Sequence, residues 1–331
     1  MELIKAVVLG IVQGLTEYLP VSSSAHLRIV PALVGWPDPG AAYTAVIQLG
    51  TLVAVLVYFA KDLRAAISAW ARSIKDKEIR KTPEAKLGWA VFVGTLPIIV
   101  VGLALKNPIE RTFRSLWVIA FSMIFMGLLL LIAEQAGRRS RKFDSARPVD
   151  GFWVGLWQCV ALVPGASRSG STISGSLFLG FDRATAARFS FLLSVPSVFG
   201  AAVYELWKER HDLLGAGLPA VVVGNVFSFI VGYWSIAFLM NYLQTRSVRI
   251  FVGYRWVVGL LLIGLMWSGR LDPMAGAEAR IAPRAGAKSW VVAGSTHGDP
   301  LSASTEDRPL HLRGRVPGGA SMRKEPRVLS T

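Results

Sequence analysis

Two stretches of this chain gather an acid, a base, nucleophiles and a cation inside otherwise apolar sequence. The first reads Gln13-Gly-Leu-Thr16-Glu17-Tyr-Leu-Pro20-Val-Ser22-Ser23-Ser24-Ala-His26. The second reads Gln158-Cys-Val-Ala-Leu-Val-Pro164-Gly165-Ala-Ser167-Arg168-Ser169-Gly170-Ser171-Thr172. Polar groups at membrane depth are costly, and they mark function. A serine becomes a nucleophile when a neighbouring base takes its proton, and Glu17 or His26 can be that base. Arg168 offers a planar fork suited to bidentate phosphate contact. The Ser-rich and Gly-rich turns, each opening a helix, would aim free N–H groups and a positive dipole end at an anion. Together these residues point to phosphoryl transfer from a phosphate held within the membrane.

Each residue also has a plainer reading. Small residues such as Ser22, Ser23 and Ser24 commonly serve close helix packing in membranes. His26 can be a packing or interfacial histidine, and Arg168 can reach a headgroup through its long stem. Gln13 and Gln158 can satisfy backbone groups freed near the bends. Glu134 and Glu205, at span ends, read as solvated. Glu17 resists such a reading, because an unpaired buried carboxylate is expensive.

The elements that must position these groups are membrane helices. Only 17% of the residues are charged, below the roughly 25% of a soluble domain. Apolar runs long enough to cross about 30 Å of hydrocarbon recur near 43–60, 87–105, 116–134, 185–206, 218–240 and 253–268. The segments that carry the two motifs, about 2–35 and 151–181, are broken by Pro, Gly and Ser. They read as re-entrant hairpins, which are tolerated where protein or a water-filled cavity surrounds them. The start of the chain lacks the pattern of a cleaved signal peptide, so the first helix is expected to stay in the mature protein.

The formal charge of +15 sits largely in short loops rather than on a soluble basic face, which argues against nucleic acid. Lys61, Arg64, Arg72, Lys75, Lys77, Arg80, Lys81 and Lys86 fill one loop. Arg138, Arg139, Arg141, Lys142 and Arg147 fill a second, and Arg246 and Arg249 mark a third. The positive-inside rule puts all three in the cytoplasm. Each half then holds one hairpin and three crossings, an odd number.

The motifs superimpose with a one-residue gap: Gly10 on Gly155, Gln13 on Gln158, Pro20 on Pro164 and Ser22 near Ser167. Related halves with odd crossings lie in opposite orientations. The fold expected is therefore an all-α polytopic membrane protein of two inverted-topology repeats, each a re-entrant helical hairpin plus three transmembrane helices. The repeats would occupy about 1–136 and 150–269 of a membrane domain at 1–269. The turns at 20–26 and 164–172 should meet near mid-membrane, with Glu17 or Ser23 within about 10 Å of Arg168. The remainder, 270–331, is rich in Ala, Gly, Pro, Ser and Arg and is expected to be disordered. Cys159 is the single cysteine, which excludes an internal disulfide and a cysteine metal site.

Both motifs resemble the signature motifs of the bacterial undecaprenyl-diphosphatase family of the bacitracin-resistance type, and the likeness covers about 1–268. It implies an integral membrane phosphatase that takes one phosphate from undecaprenyl diphosphate, recycling the lipid carrier of cell-wall synthesis. It implies a bacterial inner-membrane protein with a site open to the outer face. It also implies a divalent cation, Mg or Ca. A homodimer is a candidate assembly on which the sequence itself is silent. By motif match, Glu17, Ser23, His26 and Arg168 form the catalytic set, with Ser22, Ser167, Ser169 and Thr172 as phosphate contacts. Glu17 and Gln13 are the candidate metal ligands. The position held here by Gln13 is often Glu in the family, so a two-carboxylate metal site does not carry over intact.

A second class of function fits the same architecture: inverted repeats with broken helices are typical of transporters, and a flippase for a polyprenyl phosphate would also need an anion cradle. A membrane scaffold with a degenerate site is a third reading. Glu17, Ser23 and His26 favour chemistry, since a carrier has less use for a nucleophile with a base.

Overall fold

A computed structural model describes residues 3–104, 115–208 and 217–275 of the chain. Within them the regular structure is helical, with no strand. The first half contains α1 (Leu3–Tyr18), α2 (Ser23–Leu33), α3 (Gly40–Val46), α4 (Gln48–Tyr58), α5 (Ala60–Ser73), α6 (Pro83–Ala104) and α7 (Leu116–Ala136). The second contains α8 (Pro148–Val160), α9 (Arg168–Phe178), α10 (Arg183–Lys208), α11 (Leu218–Thr245) and α12 (Arg249–Trp267).

Helices α6, α7, α10, α11 and α12 are each long and apolar enough to cross a membrane. The chain is a multi-pass membrane protein. A sixth span is counted if Ala42–Tyr58 and Ala60–Ser73, bent by 81°, are taken together. The helices that carry the motifs are shorter: α1 has 16 residues, α2 and α9 have 11 and α8 has 13. At 1.5 Å per residue none of the four reaches about 30 Å.

Local sequence explains where these short helices begin. Pro148 occupies the first turn of α8, where its missing N–H costs nothing, and Asp150 accepts from the Arg147 backbone N–H at 2.8 Å. Ser22 and Ser167 cap α2 and α9, their hydroxyls accepting from Ala25 N and Gly170 N. Both caps sit at positive φ, 79° for Ser22 and 72° for Ser167. Non-glycine residues pay strain of about 1–3 kcal/mol there, so two matched outliers mark two matched turns.

Small residues decide which helices meet. On α1, a Cβ added at Gly10 would lie 2.5 Å from Gly224 O of α11, and one at Gly14 would lie 2.7 Å from Val231 Cβ. On α8, a Cβ at Gly151 would lie 2.0 Å from Ala90 O, and one at Gly155 would lie 2.2 Å from Gly94 O, both on α6. Each is a small-xxx-small seam that lets backbones touch. The first arm of each helix pair therefore packs on a long helix from the other half of the chain.

At the basic-loop end, Arg188 of α10 ties these segments together. Its guanidinium contacts Asp62 at 2.6 Å and lies over the Phe143 ring at 3.9 Å. The charged loops 61–86 and 137–150 thus lie side by side. Three expectations need correction. Residues 60–73 are an amphipathic helix, α5, because Ala66 and Ala69 can bury beneath a charged face. Glu134 is not solvated: it is 2% exposed and is held by the guanidinium of Arg183 and by Ser247 Oγ at 3.0 Å. Residues 270–275 fold back, burying Leu271 and placing Pro273 O 3.0 Å from Leu116 N. The rest of the compositional tail, 276–331, lies outside the described residues.

Candidate active site

The turn from α1 to α2 and the turn from α8 to α9 face one cavity of about 180 Å³, lined by Glu17, Ser23, Gln158 and Arg168 among others. Glu17 is its centre. Its Oε1 accepts from Arg168 Nη2 at 2.7 Å, and its Oε2 accepts from Ser23 Oγ at 2.6 Å and from Gln13 Nε2 at 2.8 Å. One carboxylate therefore joins the cation of one turn to a hydroxyl of the other. The helical spacing of Gln13 and Glu17 puts both on one face of α1.

Arg168 is only partly used. Its Nη1 is buried without a hydrogen-bond partner, which leaves donors free beside the cavity. Gln158 lines the same cavity, is 1% exposed, and has no partner on either Oε1 or Nε2. Such orphaned groups are costly in the absence of a ligand. The expectation that Gln158 satisfies backbone at the bend is therefore wrong: its amide lines the cavity instead. Gln13 Oε1 is likewise buried and unpartnered.

His26 stands apart from this cluster. Its Nδ1 lies 2.7 Å from Ser22 O and its Nε2 lies 2.7 Å from the Tyr254 hydroxyl. A carbonyl only accepts, so Nδ1 carries the proton and the Tyr254 hydroxyl donates to Nε2. His26 thus braces the strained Ser22 peptide. Ser169 is fully buried and donates to Leu19 O at 3.0 Å, stitching the second turn to the first. Thr172 is equally buried and donates to Arg168 O at 2.8 Å, which fixes the start of α9. Ser22 and Ser167 line the cavity with their hydroxyls engaged as caps.

One residue was missed in the sequence. Arg255 of α12 is fully buried, and its Nη1 donates to Pro20 O at 3.2 Å while its Nη2 donates to Gly165 O at 2.9 Å and Ala166 O at 3.2 Å. Its Nε reaches Met123 O at 3.0 Å. A lone Arg within an apolar run was the available signal.

The sequence profile described as Bacitracin resistance protein BacA matches residues 6–261. The chain belongs to this family. Among relatives named undecaprenyl-diphosphatase, that of Myxococcus xanthus strain DK1622 is 50% identical over 281 residues, covering 84% of this chain and 94% of its own. That of Chlorobaculum tepidum is 49% identical over 282 residues, 82% of this chain and 100% of its own. That of Thermobifida fusca strain YX is 45% identical over 278 residues, 84% and 95% respectively. The match covers both turns and the site residues from Gln13 to Arg255, so the BacA family assignment applies to the whole site.

Proposed function

We infer that this BacA-family chain hydrolyses undecaprenyl diphosphate to undecaprenyl phosphate and inorganic phosphate, as a membrane phosphatase. The observation that carries the chemistry is the Arg168–Glu17–Ser23 chain, in which a phosphate-binding cation and a hydroxyl share one carboxylate. In the mechanism we favour, the diphosphate enters the cavity and draws the Arg168 guanidinium from Glu17 Oε1 onto its terminal phosphoryl oxygens. The Gln158 amide donates to the same group. Ser23 Oγ, its proton passing to Glu17, forms a bond to the terminal phosphorus as the bond to the bridging oxygen breaks. Glu17 passes that proton to the departing bridging oxygen, and undecaprenyl phosphate leaves. Water then attacks the phosphoserine with its proton going to Glu17, which returns it to Ser23 Oγ as the phosphorus–Oγ bond breaks. Inorganic phosphate leaves and Ser23 is restored. Glu17 is the base in both steps, and His26 is a positioning residue for the Ser22–Ser23 turn.

A divalent cation fits this reading as one carried mainly by the substrate. Among the described residues no three His, Cys, Asp or Glu side chains converge. Magnesium, however, is commonly held by one or two protein oxygens plus phosphates and water. Glu17 and the orphaned Gln13 Oε1 are the oxygens this chain would supply. Such an ion would offset the phosphate charge that one arginine leaves.

The matched turns, and the exchange of α1 and α8 between halves, support two repeats of opposite orientation in the bilayer. The positive-inside rule then places the basic loops in the cytoplasm and the cavity towards the outer face of the cell membrane. The test is phosphate release in detergent, where no gradient exists. Wild-type protein should release phosphate from a polyprenyl diphosphate, and Ser23→Ala and Glu17→Gln should reduce kcat by about a thousandfold. Near-normal turnover by either variant would overturn these roles.

A further inference from the structure

Next to the catalytic cavity lies a second one of about 380 Å³, between α5, α6 and α10. Its walls are aliphatic and aromatic, with Trp70, Phe92, Leu96, Ile99, Val195 and Pro196 prominent. The single hydroxyl among them, Thr95 Oγ1, is turned away onto Val91 O at 2.7 Å. The two cavities share walls. On α6, Leu96 and Ile99 face the apolar cavity while Ile98 faces the catalytic one; on α10, Val195 and Pro196 face the first while Ser197 and Val198 face the second.

Both shared walls carry a proline at the junction. Pro97 and Pro196 lie inside α6 and α10, and each removes a backbone hydrogen bond and loosens the helix there. From that junction the apolar cavity runs towards the basic-loop end, where Trp70 of α5 and Gly88 of α6 bound it. A phospholipid whose headgroup lies at the opposite surface ends its chains near the bilayer midplane, about 15 Å down. A chain much longer than one leaflet, anchored in the catalytic cavity, is long enough to reach past the proline junction into this groove.

Resting on the phosphatase reading above, we propose that the groove between α5, α6 and α10 holds the distal part of the undecaprenyl chain and selects long substrates over short ones. Apolar burial along the groove adds to binding with no part in the chemistry, so it acts on KM. The test compares undecaprenyl diphosphate with farnesyl diphosphate, whose chain is too short to pass the junction. Val91→Trp, which fills the groove, should raise KM for undecaprenyl diphosphate by about tenfold with kcat little changed. KM for farnesyl diphosphate should stay within about twofold of wild type. Trp70→Ala, which removes a wall instead of filling the space, should show the same split and guards against a folding defect in the first variant. Equal effects on both substrates, or none on the long one, would overturn the proposal and leave the groove to ordinary membrane lipid. Absence of phosphate release by wild-type protein from both substrates would instead overturn the phosphatase reading, and the groove's role with it.

Discussion

Glu17 and Arg168, 151 positions apart in the chain, meet at 2.7 Å. In the proposed mechanism the pair couples the donor for phosphate to the acceptor of the serine proton, so substrate binding and base release would be one movement. Arg168→Lys retains the charge and loses the fork. We expect kcat/KM to fall by about a hundredfold or more, measured by phosphate release in detergent, with Arg168→Ala lower still.

Arg255 ties both turns to α12 through the carbonyls of Pro20, Gly165 and Ala166. Arg255→Met should strand these acceptors and cost about 3 kcal/mol or more of stability. Thermal unfolding in detergent should show the loss. Arg255→Lys should recover part of the stability but less of the activity, because one ammonium cannot span all the carbonyls.

The α8–α6 seam depends on the absence of a side chain at Gly155. Gly155→Ala would drive a Cβ to 2.2 Å from Gly94 O, and should destabilise by about 1–3 kcal/mol. Gly200→Ala on α10 meets nothing within 4 Å, so its unfolding temperature should stay at or slightly above wild type. A similar loss in both would remove the seam as the cause.

At the basic-loop end, Asp182 caps α10 by accepting from Thr185 N at 2.8 Å, and Lys142 sits 3.0 Å away. Burial pushes its carboxyl up, but the Thr185 and Lys142 contacts outweigh this and hold it below the ordinary carboxylate value. A depressed folded value means the stabilisation is present above the unfolded value of about 3.9 and is lost as pH falls through the folded one. Unfolding temperature should therefore drop on strong acidification, and Asp182→Asn should show a shallower drop from a lower starting point.

Much of this arrangement is legible in the sequence, for physical reasons that differ by element. Bilayer thickness demands long apolar runs, so the spans at 116–134 and 218–240 stand out as α7 and α11. Chemistry demands rare residue types at depth, so Glu17 and Arg168 stand out too. Helix α5 was hidden because its buried face is made of alanines, which carry little hydrophobic signal, amid Lys61, Arg64 and Arg72. Arg255 was hidden inside a run long enough to be read as a plain span. The unpartnered amide of Gln158, and the pairing of both His26 nitrogens, are facts of packing that spacing alone does not encode.

The exchange of first arms between halves has a consequence for how the protein is made. Helix α1 leaves the ribosome early, yet its glycine seam is built for Gly224 and Gly232 of α11, among the last helices synthesised. The nascent hairpin holds Gln13, Glu17 and Ser23 without a counter-ion until Arg168 of α9 is made, and without its seam until α11 follows. Biogenesis must shelter it, and no fragment ending in the 137–147 loop contains a complete site. Two fragments divided in that loop and synthesised together should still find each other, because the surfaces each lacks are the ones the other carries.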